Sequence, residues 1–472
     1  MAEPFKLIEP QLVPPLDPEF RPASLANQAF RQELAGLGVP LVIGLERNNG
    51  EISRFETQVF PEGHPRAQAN LFYIERLVKF LLWQRGGFKV YIGGPHSAGE
   101  HVRLCYLPDG ERSFDHHFMG EQVYERTFSV IPCDPHEVPP ANEIGRQLGR
   151  HLDGCRIGFD LGASDRKVSA VIDGQVVYSE EVIWEPRKHS DPEYHYSQII
   201  TALKTAASKM PRVDAIGGSS AGIYINNRPM VASLFRAIPK ERYHEIQDLF
   251  VRIRDEMQVP LEVINDGDVT ALAGSMSLED NGILGIAMGS SQAAGYVDMQ
   301  GGIMDWLSEL AFAPIDYNPR APMDEWSGDI GCGSQYFSQQ CVFRLAPKAG
   351  IQIPKGITDA EKLKFVQEKL EADHAGATQI WQSMGIYLGY ALPHYADFYG
   401  IRHALILGRC TSGRGGDLIL ENANRVLQAE FPELASCIHV QLPDEKSRRV
   451  GQSIAAASLP PLAHSESNPK GL

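Results

Sequence analysis

From Arg156 onward, short apolar segments of strand length alternate with longer amphipathic segments of helix length. Strand-like segments occur at 156–162, 167–172, 175–181, 213–218, 261–264, 283–288, 293–298 and 404–408, and helix-like segments at 197–210, 268–276 and 417–431. The two-residue Asp173-Gly174 connection indicates a tight hairpin turn, because the twist of such a turn matches that of the strands it joins. Strands that alternate with helices in this way predict an α/β fold with a mixed sheet.

The composition is that of a globular protein and argues against several other classes. Of the 472 residues, 43% are hydrophobic and 22% are charged, which is too apolar for a disordered chain. No run reaches the roughly 18 apolar residues of a membrane-spanning helix, and the first residues lack the pattern of a secretory signal. The net charge of −15 argues against a protein that binds nucleic acid or an anionic membrane. Seven widely spaced cysteines without a CxxC pair predict reduced thiols in a cytoplasmic protein.

Residues 1–150 precede this regular alternation. Their proline-rich start is typical of an extended arm with little structure of its own; a small α/β segment follows, and a short helix is expected at 143–153. The order of segments in 42–99 repeats that in 156–222: strand, polar turn, strand, helix, strand, small-residue loop. This echo has two interpretations, a common α/β order or a degenerate copy of the following segment.

The motif DLGASDRKV (160–168) lies between two predicted strands. A carboxylate at a strand end can hold Mg²⁺ through water, and small residues let backbone N–H groups approach phosphate oxygens. The alternative is an ordinary turn rich in turn-forming residues. A metal–phosphate site around Asp160 is therefore one of two hypotheses for this motif.

The motif VINDGDV (263–269) places Asn265 and Asp266 at the carboxyl end of a strand, just before a helix. Sheets of α/β proteins tend to bind ligands at this edge. A carboxylate there can accept the proton of a substrate hydroxyl during phosphoryl transfer. The alternative is capping of the helix by Asp266 or Asp268.

Two further loops are rich in small residues. The turn in GIAMGSSQAAGYVD (285–298) joins two strands and could hold phosphates through backbone N–H and hydroxyl groups. The loop in LILGRCTSGRGGD (405–417) joins a strand to a helix and could receive an adenosine face or a phosphate. Each loop alone is weak evidence, because turns rich in glycine are common.

Taken in order, these motifs resemble the actin/hexokinase-like ATPase superfamily and, within it, the ROK (repressor–open reading frame–kinase) sugar kinases. The order is acidic hairpin, small-residue loop GGSSAG (217–222), strand–Asn–Asp–helix, Gly/Ser hairpin and late Gly-rich loop. The resemblance covers about residues 155–460. It implies an α/β fold of two ribonuclease-H-like lobes around an interdomain cleft. The small lobe would span 151–275 and the large lobe 276–472, with the C-terminal helix returning to the small lobe, and 1–150 would be an N-terminal α/β extension.

The resemblance also implies roles for individual residues. Asp266 matches the family's catalytic base, and Asp160 matches the residue that organises Mg²⁺. The residues implied to bind nucleotide are Asp160, Gly162, Ser164, Lys167, Gly289, Ser290, Ser291, Gly408 and Arg409. The residues implied to bind the sugar are Asn265, Glu309, Gln339, Ser219 and Ser220.

The zinc motif of the family is altered in this sequence. SELAF (308–312) keeps Glu309 but has Phe312 in place of His. IGCGSQYFSQ (330–339) keeps Cys332, loses two other cysteines, and has Gln339 in place of a sugar-binding Glu. A structural zinc ion needs about four ligands, most of them nitrogen or sulfur, so no zinc site is predicted. The sugar pocket is expected to differ from that of glucose-type members.

The leading hypothesis is an ATP- and Mg²⁺-dependent kinase that phosphorylates a hydroxyl of a sugar or polyol. The alternative is a non-catalytic regulatory protein that binds sugar or nucleotide on the same scaffold. A hydrolase has less support, because no GxSxG elbow occurs. The stretch DHHFMG (115–120) is interpreted as a solvated loop or hairpin rather than a metal site. The expected partner is a small molecule, with no nucleic acid and no membrane, and assembly into a homodimer stays open.

Overall fold

The structure, a computed structural model, describes residues 5–143, 145–163, 165–443 and 445–462, without the side chains of 445–450. The predicted α/β class is confirmed. In these residues the strands are β1 Val39–Glu46, β2 Ile52–Val59, β3 Lys89–Gly93, β4 Ser129–Cys133, β5 Cys155–Leu161, β6 Asp165–Ile172, β7 Gln175–Ile183, β8 Ala215–Ser220, β9 Ile223–Ile225, β10 Arg228–Val231, β11 Leu261–Asn265, β12 Ile283–Met288, β13 Gln292–Val297, β14 His403–Leu407 and β15 His439–Gln441.

The helices alternate with these strands over most of the chain. They are α1 Ala23–Glu33, α2 Ala67–Arg85, α3 His96–Cys105, α4 Ser113–His117, α5 Pro192–Ala207, α6 Tyr243–Gln247, α7 Leu249–Met257, α8 Asp266–Leu278, α9 Gln339–Leu345, α10 Asp359–Glu371, α11 Ala375–Ala396, α12 Arg414–Glu430, α13 Pro432–Ala435 and α14 Glu445–Ala457. None of the described helices is both long and apolar enough to cross a bilayer.

The chain divides into two compact units. The first comprises Met1–Ile144, Ile286–Ala294 and Asp305–Leu442, and the second comprises Gly145–Gly285, Gly295–Met304 and Pro443–Leu472. In this division the N-terminal residues share a unit with most of the region after β13. Helix α14 falls in the second unit.

The second unit is built on a five-stranded sheet with the order β11-β8-β5-β6-β7. Strands β5, β8 and β11 run parallel, and β6 and β7 continue the sheet in antiparallel pairs. The β6–β7 connection is the predicted hairpin turn, since Asp173 and Gly174 both have positive φ, of 46° and 78°. Apolar residues of these strands and of α5 and α7 form one buried core.

Helix α14 packs very closely on the centre of this sheet. Gly158 of β5 and Gly217 of β8 are register partners. A Cβ at Gly217 would lie 1.6 Å from the carbonyl oxygen of Ala456, and one at Gly158 would lie 2.1 Å from that of Ser453. The small residues of GGSSAG (217–222) and of GQSIAAAS (451–458) therefore allow a helix and two strands to approach each other.

The first unit contains the N-terminal sheet, whose strand order is β2-β1-β3-β4. Strand β1 pairs antiparallel with both β2 and β3. In the second unit the corresponding neighbours β5 and β8 are parallel. The echo between 42–99 and 156–222 is therefore an echo of element order, and the strand pairing does not repeat.

The N-terminal arm is more structured than its proline content predicts. It contains α1, and Phe20, only 1% exposed, packs against the rings of Tyr387 and Tyr336. Asp17 accepts hydrogen bonds from Tyr387 Oη at 2.7 Å and from Arg344 at 3.1 Å. Aromatic burial and ion pairing within the first unit therefore hold this arm in place.

Two other local predictions are also wrong. Residues 145–153 are not helical; Arg146 instead forms an isolated β-bridge with Ile303, and Gly149 and Arg150 have positive φ. The stretch DHHFMG is not a loop, since it spans α4 and the start of a one-turn π-helix, Phe118–Val123. Its first residue, Asp115, is 1% exposed and is bound by Lys79.

Another four-stranded sheet, most of which lies in the first unit, has the order β13-β12-β14-β15. Strands β12 and β13 form the predicted hairpin, with Gly289–Ser291 at its turn. Helices α11 and α12 pack against each other, where Gly385 and Gly389 of α11 lie under the backbone of α12. The late strand–loop–helix motif corresponds to β14 and α12.

Candidate functional site

Polar side chains collect at the carboxyl edge of the second unit's sheet. The register pairs Asp160 with Ser219 and Ser220 with Asn265. Because β5, β8 and β11 are parallel, their last residues lie side by side, and Asp266 follows as the first residue of α8. Five predicted site residues from three motifs therefore meet at this edge: Asp160, Ser219, Ser220, Asn265 and Asp266.

Neighbours on both adjoining strands act on the carboxyl of Asp160. Ser219 Oγ donates a hydrogen bond of 2.8 Å to Asp160 Oδ1. Burial raises the pKa of Asp160 above its ordinary value, while Ser219 and the ammonium of Lys167 oppose that rise. Lys167 is the register partner of Asp160 on β6, and its Nζ lies 3.4 Å from Asp165 Oδ1. A nearby cation would stabilise the ionised form of this buried carboxyl.

Asp266 has the acidity of a general base. Burial, with the like charge of Asp160 as the second cause, raises the pKa of Asp266 to about 6. The backbone N–H of Gly267 donates to Asp266 Oδ1 at 3.0 Å and holds the carboxyl at the start of α8. A carboxyl with a pKa near the working pH transfers protons most effectively.

Asn265, not an aspartate, caps α8. Its Oδ1 accepts from Gly267 N at 2.7 Å, and its Nδ2 donates to the carbonyl of Gly222 at 2.8 Å. Asp268 accepts instead from the backbone N–H of Tyr296 at 3.1 Å. Asn265, rather than Asp266 or Asp268, is therefore the residue that caps α8.

The two serines of GGSSAG are the last residues of β8, so the prediction of a loop is wrong for Gly217–Ser220. Ser219 is 2% exposed and Ser220 is fully buried. Ser220 Oγ accepts a 2.6 Å hydrogen bond from Tyr224 Oη. The sequence pattern did not predict Tyr224 as a site residue. Its hydroxyl, four residues after Ser220, bonds at the same edge of the sheet.

The turn after β5 is closed by internal hydrogen bonds. Gly162 N donates to the carbonyl of Asp165 at 2.9 Å, and the carbonyl of Gly162 accepts from Trp184 Nε1 at 2.8 Å. Both backbone groups of Gly162 are therefore already bonded within the second unit. Ser164, the predicted hydroxyl donor, lies outside the described residues.

In the first unit the Gly/Ser hairpin adjoins two other predicted residues. Gly289 N donates to the carbonyl of Ser291 at 3.0 Å, and its own carbonyl accepts from Gln339 N at 2.9 Å. Ser290 and Ser291 are exposed, whereas Gln339 is 5% exposed. The hairpin turn, with exposed hydroxyls, therefore sits on the first residue of α9.

Gly408 brings the late loop to the same hairpin. Its φ is +100°, and a Cβ there would lie 2.6 Å from the carbonyl oxygen of Met288. Arg409 follows as an exposed residue, and its carbonyl accepts from Gln367 Nε2 at 2.8 Å. The end of β12 and the loop after β14 are consequently in contact.

Glu309 occupies a turn that rests on α2. Its backbone N–H donates to the carbonyl of Trp83 at 2.9 Å. Phe312, which replaces the histidine of the family motif, stacks on the Trp83 ring with centroids 4.2 Å apart. Among the described residues no group of three or more His, Cys, Asp or Glu side chains is placed to hold a metal ion. Burial raises the pKa of the Cys332 thiol.

The most conspicuous feature that the sequence did not reveal is a buried cluster of charged side chains in the first unit. It consists of Glu75, Arg76, Lys79, Arg112, Asp115 and Asp329, each less than 9% exposed. In the sequence, charged residues on a helix normally indicate a solvated face. A signal was present only in the apolar residues of α2 that flank Glu75, Arg76 and Lys79 on both sides.

Comparisons with known proteins identify the fold. No family model matches the sequence. No curated protein matches it. Solved structures do match: a ROK-family transcriptional regulator, a homologue of the E. coli Mlc protein, is 15% identical, with a TM-score of 0.51 over 65% of this chain and 79% of that chain.

Two kinases show the same likeness at lower scores. A ROK glucokinase from Streptomyces griseus, in complex with glucose and AMPPNP, is 19% identical over 64% of this chain and 99% of that one, with a TM-score of 0.48. A ROK hexokinase from Thermus thermophilus is 15% identical over 64% and 97%, with a TM-score of 0.49. The predicted resemblance to the ROK fold is confirmed. Similarities at 15–19% identity establish the fold alone.

Proposed function

We propose that the protein is an ATP-dependent kinase that phosphorylates a hydroxyl of a sugar or sugar-like polyol. The observation that carries the proposal is Asp266, at the carboxyl edge of a parallel sheet and beside Asp160, with its pKa raised to about 6. Above that pH the ionised carboxylate can take the proton of an attacking hydroxyl. Turnover should therefore fall as the pH drops below about 6, the value of that pKa.

The residues at this edge fit a magnesium ion. Mg²⁺ prefers oxygen ligands and keeps several waters, and Asp160 offers a carboxylate whose raised pKa reflects a lack of solvation. When bound, Mg²⁺ would neutralise charge on the transferred phosphoryl group. Ser219 would keep Asp160 oriented through its 2.8 Å hydrogen bond. In the first unit, the exposed hydroxyls of Ser290 and Ser291 suit phosphate oxygens.

The carboxyl of Asp266 keeps capacity for a substrate hydroxyl. The N–H of Gly267 donates to its Oδ1, and a carboxylate has room for several donors, so a sugar hydroxyl can approach its other lone pairs. Gln339 and Glu309 of the first unit are the proposed sugar contacts on the basis of the motif positions they occupy. The substitution of Gln339 for a carboxylate favours a sugar other than D-glucose.

A coupled ADP-release assay tests the proposal directly. The assay should cover hexoses, amino sugars, deoxy sugars and inositols, each with ATP and Mg²⁺. We expect turnover with at least one of them, and none when Mg²⁺ is chelated. Absence of sugar-dependent ADP release across the whole panel would argue against a kinase.

The second candidate is a sugar- or nucleotide-binding regulatory protein without catalysis. It is favoured by one observation: the amide of Asn265 and both backbone groups of Gly162 already bond within the unit. Calorimetry with ATP and Mg²⁺ separates the two candidates, because a kinase requires measurable nucleotide affinity. Binding of a sugar without binding of ATP would favour the regulatory protein. The net charge of −15 disfavours nucleic acid as its partner.

A further inference from the structure

The buried cluster of six charged residues in the first unit has no part in the proposed chemistry. Three of its members are cations and three are anions, so its formal charges cancel; they are Arg76, Lys79, Arg112, Glu75, Asp115 and Asp329. Taking ions out of water is costly unless every charge is paired and hydrogen-bonded. A cluster of this size therefore calls for an explanation beyond stability.

The cluster joins three separate segments of the chain. Lys79 Nζ on α2 donates to both carboxylate oxygens of Asp115 on α4, at 2.7 and 2.9 Å. Lys79 Nζ also lies 3.7 Å from Asp329. Arg76 and Arg112 bind the same Asp329 at 3.1 and 2.9 Å. Burial alone would lower the pKa of Lys79, but these carboxylates raise it above the ordinary value.

Trp83 connects this cluster to the turn that carries Glu309. Its Nε1 donates to Asp115 Oδ1 at 2.7 Å. Its backbone carbonyl accepts from Glu309 N at 2.9 Å. Its ring stacks on Phe312 at 4.2 Å. One buried residue therefore contacts both the charged cluster and the segment 309–312.

The turn itself needs external support. Ser308 has a φ of 50°, a left-handed conformation that is unfavourable for residues other than glycine. Its N–H donates to the carbonyl of Gln84 at 2.8 Å. A strained residue of this kind persists only where its surroundings over-determine it, and here the surroundings are the C-terminal turn of α2.

We propose that Asp115 and Trp83 are positioning residues, which fix the segment 308–312 and so hold Glu309 in the conformation that binds the sugar. The proposal rests on the proposed function for the sugar contact, but its structural part stands on the contacts alone. It gives the N-terminal residues a specific role, because α2 and α4 support the sugar-binding turn from inside the first unit.

Two double variants separate this role from general stability. Lys79→Met/Asp115→Leu removes one cation and one anion, so the remaining charges still cancel, but it leaves Trp83 Nε1 without its acceptor. Lys79→Met/Asp115→Asn makes the same change of charge and keeps an oxygen for Trp83 Nε1. Trp83→Phe is the third variant; it loses the indole N–H and leaves the charged cluster intact.

Hydrogen exchange of the peptide 305–313, read by mass spectrometry, reports the conformation without any substrate. We expect the Leu double variant and Trp83→Phe to exchange there about tenfold faster or more, while peptides of α12 keep their wild-type rates. The Asn double variant should exchange like wild type. If all the variants exchange alike in 305–313, or if the Asn variant loosens the peptide as much as the Leu variant, the proposal fails.

Steady-state kinetics then test the sugar contact, with whichever sugar of the ADP-release panel the wild type turns over fastest. We expect the Leu variant and Trp83→Phe to raise the KM for this sugar about tenfold, with the KM for ATP nearly unchanged. Rescue by the Asn variant is required. Equal losses for ATP and sugar would overturn the positioning role. Failure of wild type to turn over any sugar would defeat the proposed function, while hydrogen exchange would still decide the structural part.

Discussion

Two features of its surroundings disfavour the anionic form of Asp266. Burial at the start of α8 removes water from the carboxyl, and Asp160 adds a like charge. The N-terminus of α8 acts in the opposite direction, because the N–H of Gly267 donates to Asp266 Oδ1. The net effect is a carboxylate that is ionised at neutral pH and still basic enough to accept a proton.

Asp266→Asn should abolish most phosphoryl transfer without unfolding the protein. Asparagine keeps an oxygen for the N–H of Gly267 but cannot take a proton, so kcat should fall about 10²- to 10⁴-fold. Asp268→Asn is the matched control, because Asp268 accepts from the backbone of Tyr296; its kcat should stay within about tenfold of wild type. Equal kcat values for the two variants would contradict the assignment of the base.

The same substitution should change stability in a direction set by pH. The folded-state pKa of Asp266, about 6, lies above its ordinary value of 3.8, so the folded state holds this proton more tightly than the unfolded state. That contribution is present at acidic pH and is lost as the pH rises through about 6. At pH 7.5, Asp266→Asn should therefore raise the free energy of unfolding by about 1–2 kcal/mol, given that the side chain keeps some contact with solvent.

Urea denaturation at several pH values measures this effect. The gain should shrink as the pH falls and disappear below the ordinary value of 3.8. Ser219→Ala is a useful comparison, because it removes the hydrogen bond to Asp160 Oδ1 and leaves the carboxyl of Asp266 in place. A gain independent of pH would show that the ionisation of Asp266 is not its source.

At the scale of elements, the contact of α14 with β5 and β8 holds the second unit together at its centre. The contact depends on small residues on both sides, with Gly158 and Gly217 on the strands and Ala456 and Ala457 on the helix. A helix that lies this close to a sheet leaves no space for a side chain between them. Asp160, at the carboxyl edge of the sheet, lies on the same strand as Gly158, β5.

Gly217→Ala should strongly destabilise the second unit. Its Cβ would lie 1.6 Å from the carbonyl oxygen of Ala456, so α14 must move away, at a cost of about 3 kcal/mol. Gly451→Ala is the control on the same helix, because its Cβ would meet nothing nearer than 3.9 Å. It should stabilise the protein by about 0.5–1 kcal/mol through helix propensity. Similar thermal shifts for both variants would contradict this packing.

At the scale of the whole molecule, the N-terminal residues belong to the first unit. The arm packs Phe20 on the aromatic residues of α11, and its Asp17 pairs with Arg344 of α9. Helix α2 is buried over most of its length, including its charged residues. These contacts would expose large apolar and charged surfaces if the N-terminal residues were absent.

A chain that begins at Gly145 should therefore lose the folded first unit. Hydrogen exchange by mass spectrometry should show that the backbone amides of α11 and α12 lose their protection, because α1, α2 and the arm no longer cover this core. Peptides from β5 and β8 are the internal comparison, since they belong to the second unit. Full protection of α11 in the shortened chain would show that the N-terminal residues are dispensable for the fold.

Local sequence determined most of the elements and the class of the fold. Strand and helix periodicity predicted β5 to β8, α5, α8, β12, β13 and α12, because the side-chain period depends on neighbours a few residues away. The Asp173-Gly174 turn follows from residues that tolerate positive φ. The same motifs indicated Asp160 and Asp266 as candidate site residues. Without the family resemblance, neither could be distinguished from a turn or cap residue.

Tertiary structure decided which of these residues are in contact and which charge state they adopt. The parallel register of β5, β8 and β11 puts Asp160 next to Ser219, and only burial beside Asp160 raises the pKa of Asp266. Asn265 caps α8 through the N–H of Gly267, and its amide also donates to Gly222. Lys79, Asp115 and Asp329 form one cluster from distant parts of the sequence. Such pairings depend on partners far apart in the chain, and a local pattern of polar and apolar residues carries no information about them.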